Sequence, residues 1–149
     1  MTHKRERLTL AILEAFVALT ALGCGLGLEV GAIQFPLAWL VGTPFSDYVL
    51  PGLLMGVIVG GSSLLAAATI FTGGEVGVLV SVLAGLLLIG FEFVEAAIID
   101  PNVGNGLLLA LGFQVGYSVL ALIIVGLAGF LWMAEYRRHH FPTGHISHA

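Results

Sequence analysis

Of the chain's 149 residues 58% are hydrophobic and only 9% are charged, where ordinary soluble domains carry about a quarter charged residues. A water-soluble globule is therefore excluded, and a net charge of −4 leaves no basic, aromatic-laced surface for nucleic acid. The lone Cys24 excludes an internal disulfide, a CxxC redox pair and a Cys-based zinc site.

Lys4, Arg5 and Arg7 precede the first apolar run, Arg137 and Arg138 follow the last, and no base lies between them. Lys and Arg beside membrane spans are retained on the cytoplasmic side, so this distribution predicts both termini inside and an even number of crossings. A transmembrane helix takes about 20 mostly apolar residues, and four use up nearly the whole chain. The expected fold is all-α: one domain, an integral four-helix bundle of the cell (inner or plasma) membrane.

The spans are expected at about 8–30, 48–71, 76–99 and 106–134, with a cytoplasmic tail from 135 onward. Ala21-Leu22-Gly23-Cys24 distantly resembles a lipoprotein cleavage site, but Glu14 interrupts the apolar stretch, which favours an uncleaved first span. Residues 32–46 are apolar, and Pro36 and Pro44 limit any helix there; with Trp39 suited to headgroup depth, they are expected to lie along the outer interface. Ser46 or Asp47 can cap span two, and Pro51 is tolerable because it falls near that helix's start. Thr72, Gly73 and Gly74 predict a tight cytoplasmic turn, and residues 100–105, from Asp100 through Pro101 to Asn105, an outer one.

Small residues recur at helical spacing: Gly23, Gly27 and Gly31; Gly52, Gly56 and Gly60; Gly73, Gly77, Ser81 and Gly85; Gly112 and Gly116. Lipid is as apolar as Leu, so membrane helices associate by close backbone approach, and these stripes are expected to mark the helix contacts.

The acids inside the spans are the sharpest chemical signal, because a buried carboxyl is costly and seeks the bundle interior or water. Glu92 and Glu95 stand three apart on span three, and Glu92 continues the stripe of Ser81 and Gly85. At about 1.5 Å per residue Glu92 lies roughly 10 Å below the outer turn, the same depth as Gln114 on span four, where Tyr117 and Ser118 continue the polar face. Glu92 with Gln114 is the expected polar contact. Glu14 lies seven residues from Arg7 on the same face and is expected to snorkel toward the basic end. Glu29, Asp47 and Asp100, together with Glu95, give the outer boundary a negative potential that attracts cations.

His139, His140, His145 and His148 read as a solvated tail rather than a metal site, since no carboxylate or thiol framework accompanies them. With no His inside a span there is no bis-His haem, and Ser62, Ser63 and Ser81 lack a His to activate them. No cofactor, metal or catalytic residue is expected.

Thr43-Pro44-Phe45-Ser46-Asp47-Tyr48-Val49-Leu50-Pro51-Gly52 resembles the SPF-x-DY-[LV]-[IL]-PG signature of a widespread family of small four-span prokaryotic membrane proteins of unknown function. The acid-containing stretch 91–99 and the Gln114/Tyr117 pair are similar to that family too, and the four-span outline is broadly DoxX-like. The resemblance implies the architecture but no activity. Small multidrug transporters also have four short spans and an acid in span one, where Glu14 sits, but their span-four motif has no counterpart here.

The expectation is a non-enzymatic membrane protein, either an accessory subunit or a module that binds lipid or another apolar ligand. Its partners would be membrane lipids, with a larger complex or a homo-oligomer as a further partner. The alternative is a proton- or cation-coupled transporter using the intramembrane carboxyls. Interior water separates the two, because transport demands a polar cavity of alternating access.

Overall fold

The computed structural model describes residues 3–72, 74–98 and 107–140, with side chains at 107, 109–110 and 137–140 left aside. Among these residues the regular structure is entirely helical. Four helices are long and apolar enough to cross a membrane: α1 (Lys4–Glu29), α2 (Val49–Thr69), α3 (Glu75–Ile98) and α4 (Leu107–His140). Their bounds fall within a few residues of the expected spans, except that α4 continues to His140 where a tail was expected from 135. Nothing in its sequence stops the helix at Ala134, since neither Gly nor Pro follows until Pro142. His145, His148, Gly73 and the expected turn at 100–105 lie outside the described residues.

Each helix packs on the next in sequence, and α4 returns to α1. Helix α1 ends where Gly31 takes φ +72, a left-handed conformation that needs Gly, and the chain folds back so that the Ile33 N–H donates to the Gly27 carbonyl at 2.9 Å. Residues 37–40 form one 3₁₀ turn. The Asp47 carboxylate accepts from the Val49 N–H at 3.1 Å where α2 begins, and Pro51 falls in that first turn, as the sequence indicated.

Packing rests on small residues, though not on every one expected. A methyl on Gly25 would stand 2.7 Å from the Gly52 carbonyl oxygen and 3.0 Å from the Gly56 Cα, so α1 and α2 touch backbone to backbone here. Gly60 makes room for Leu22, Gly77 for the Thr69 carbonyl, and Gly85 for Val125 and Ile124 of α4. Ser81 is buried, and its hydroxyl donates to the Gly77 carbonyl at 3.1 Å.

Five stripe members behave otherwise, Gly31 among them with open space at its Cβ position. Gly23, Gly112 and Gly116 have nothing within 4 Å of a Cβ position, and Gly27 accommodates Ile33 of the following segment rather than another helix. The α1 contact therefore runs through Gly25, two residues from Gly23 and so on a different face of the helix.

The core is concentrated at the end where the chain begins and α4 finishes. Leu10, Val17, Ile70, Val78, Ala121, Ile124, Ala128 and Leu131 are buried there, and among the described side chains of α4 the buried ones fall from Ala121 onward. Outer faces carry large exposed apolar side chains such as Leu19, Val57, Phe93 and Leu122, which suits lipid and not water.

Candidate functional site

Because α4 is packed only from about Ala121 onward, the half of the bundle nearest the 32–46 segment is hollow. A cavity of about 1030 Å³ occupies it, bounded by all four helices and by that segment. Its walls are mostly apolar. Phe16 and Leu19 of α1 and Phe113 of α4 line it and are each more than half exposed, so the cavity is open between α1 and α4.

The 32–46 segment covers this cavity, which its apolar sequence did not announce. Phe35 stacks on Trp39 with centroids 5.8 Å apart and meets Tyr48 edge-on at 5.7 Å. The Tyr48 hydroxyl donates to the Pro36 carbonyl at 3.0 Å, tying the segment to the start of α2. Trp39 is 4% exposed, and its indole N–H has no acceptor. The segment can turn inward because the hollow leaves room for its aromatic rings.

Glu92, Glu95, Gln114 and Tyr117 all line the cavity, so the structure gathers four of the five polar residues expected to form a site. The expected Glu92 to Gln114 hydrogen bond is not made. Glu92 is 5% exposed with Oε2 unpartnered, and a crevice of about 320 Å³ lined by both side chains opens between α3 and α4. Without close packing along this stretch of α4, equal depth does not bring the two groups into contact. Glu95 is half-buried, within electrostatic reach of Cys24, Tyr48 and Tyr117. Thr20, beside Tyr117, donates its hydroxyl to the Phe16 carbonyl at 2.8 Å.

Glu14, the fifth, lies elsewhere and does not snorkel. It is wholly buried between α1 and α3 beside Ser81, with neither carboxyl oxygen hydrogen-bonded. Arg7, seven residues earlier on the same face, is committed to the Ile70 and Gly74 carbonyls and to Glu135. Between Glu14 and the cavity, buried Val17, Ala21 and Leu88 close the interior.

Among the described residues no cluster of three or more His, Cys, Asp or Glu side chains could hold a metal ion. Compared with protein-family models, with curated proteins and with solved structures, the chain has no match in any of the three.

Proposed function

We propose that this chain is a multi-pass protein of the cell membrane, both termini cytoplasmic, that binds an apolar molecule from the bilayer without catalysing a reaction on it. The cavity carries this reading. At about 1030 Å³ it lies at the upper end of the range of small-molecule sites, it is mostly apolar, and its opening faces where acyl chains would lie. Buried polar groups without partners are rare in folded proteins, yet Glu92 and Trp39 each present one at this cavity. A pure hydrocarbon would leave both unsatisfied; an amphiphile with a polar head would satisfy them once these side chains turn toward the cavity.

Extraction in a mild maltoside detergent, followed by mass spectrometry of organic-phase small molecules, tests this. The wild-type protein should retain an amphiphile in near-stoichiometric amount, and Gly116→Leu should lose it. Gly116 lines the cavity with nothing near a Cβ, so Leu fills the void without striking the fold. Equal, sub-stoichiometric lipid on both proteins would defeat the proposal.

The unpartnered Glu14 favours a second reading, a proton-coupled carrier. That reading needs a route through Val17, Ala21 and Leu88, and pH-driven flux in proteoliposomes that Glu14→Gln abolishes would support it.

A further inference from the structure

Resting on the cavity reading above, we infer that the occupant is an amphiphilic organic cation, an ammonium head on a hydrocarbon body. Glu92 and Glu95 both line the cavity, and the unpartnered Glu92 Oε2 is almost fully buried there. No Lys, Arg or His is among the lining residues. The bases in the described part of α1 are at its far end: Arg7 is 17 residues from Cys24, about 25 Å along the helix. The chain thus supplies acids to the cavity and no counter-charge. In a low-dielectric site a ligand cation would complete the pair, whereas an anionic head would face two carboxyls.

The cover has matching chemistry. Aromatic faces attract cations, and quaternary ammonium groups are commonly held by several rings together. Phe35, Trp39 and Tyr48 pack on one another at the cavity that holds the two carboxyls, so ring faces turned away from that cluster are what an ammonium head would meet. Exposed Glu29 and Asp47, at the ends of the segment that carries these rings, add attraction for a cation outside. The opening past Phe16, Leu19 and Phe113 gives the hydrocarbon part its place. A zwitterionic phospholipid would bring its phosphate to the same carboxyls, so net positive charge is what the site selects.

The chain has two tryptophans, and only Trp39 is at the cavity. In a Trp132→Phe background its fluorescence reports occupancy by chain-spin-labelled amphiphiles of one chain length, added at trace amounts to maltoside micelles. Their heads are trimethylammonium, hydroxyl, phosphocholine or sulfate. Trp39→Phe protein, with Trp132 as reporter, supplies the baseline for simple partitioning into the micelle. Trimethylammonium should reach half-maximal quenching at about tenfold lower concentration than the hydroxyl form, with phosphocholine and sulfate weaker still. The Glu92→Gln, Glu95→Gln protein should lose the preference.

Hydroxyl or phosphocholine forms that match trimethylammonium would overturn the cation assignment and leave the cavity reading standing. No quenching of Trp39 above baseline by any of the four would remove both. A folded double variant that keeps the preference would also overturn the assignment, and if that variant does not fold, the comparison of heads on the protein with both carboxyls decides.

Discussion

Arg7 and Glu135, 128 residues apart in sequence, form an ion pair that joins the start of α1 to the end of α4. The same guanidinium donates to the carbonyls of Ile70 and Gly74 in the turn between α2 and α3. One planar group with five donors therefore fastens three parts of the chain at one end of the bundle, a task a Lys ammonium cannot match in geometry. The side chains are 8% and 20% exposed, so most of the pairing is screened from solvent. Arg7→Ala strands a carboxylate and two carbonyls, and should destabilise the protein by about 3 kcal/mol, read by denaturant unfolding in mild detergent. Glu135→Gln keeps an acceptor and should cost clearly less. Equal stability of Arg7→Ala and wild type would show the pair to be incidental.

Gly25 and Gly23 give opposite expectations for one added methyl. At Gly25 the methyl meets the Gly52 carbonyl and the Gly56 backbone, neither of which can rotate away, so Gly25→Ala should force α1 from α2 and lower the melting temperature. At Gly23 there is open space, and Ala is favoured over Gly within a helix by about 1 kcal/mol, so Gly23→Ala should raise it. Thermal melts ranked the other way round would mean that α1 is turned differently.

Glu14 presents two buried oxygens with no donor on either. Gln has nearly the same shape and carries no charge to desolvate, and its amide can also donate, to the neighbouring Ser81 among others. Glu14→Gln should therefore melt no lower than wild type, and a marked loss of stability would reveal a partner that the carboxylate form alone can hold.

The orientation is checked with reporters. One fused after Ala149 and one inserted at exposed Gly42, in the segment covering the cavity, should read cytoplasmic and external respectively. A shared side for the two would end the four-span arrangement.

The helices were legible because each span is a long apolar run closed by Gly, Pro or acidic residues, and the basic ends agree with an ion pair that brings α1 and α4 to one end. Helix faces were not. A stripe of Gly at every fourth residue shows where a backbone approach is permitted, but Gly25 lies off the Gly23 stripe and still brings α1 onto the backbone of α2. Gly112 and Gly116 follow the pattern and border empty space. The inward acids of α3 were readable from cost alone, since a carboxyl avoids lipid, and Glu92 and Glu95 do line the interior. The contact assigned to Glu92 failed because depth along an axis says nothing about the gap between helices. The inward turn of Trp39 was not readable for a related reason: an apolar, Pro-broken segment reads the same on a membrane surface as folded over a hollow. Phe35, Trp39 and Tyr48, spaced within it, were the available signal.

Midway along α2, Met55–Gly60 is wound as a π-helix, with the Gly61 N–H reaching back to the Gly56 carbonyl. A π turn holds more residues than an α turn, so the two halves of α2 run out of phase. The half before it presents Gly52 to α1, while the half after it presents Ser63 and Ala66 to the core. Rewinding this stretch as an α-helix with all its residues kept would turn one half by about 100° against the other. The hollow end and the packed end of the molecule would then compete for one rotational setting of α2. This wide turn works as a phase joint that lets both be satisfied at once.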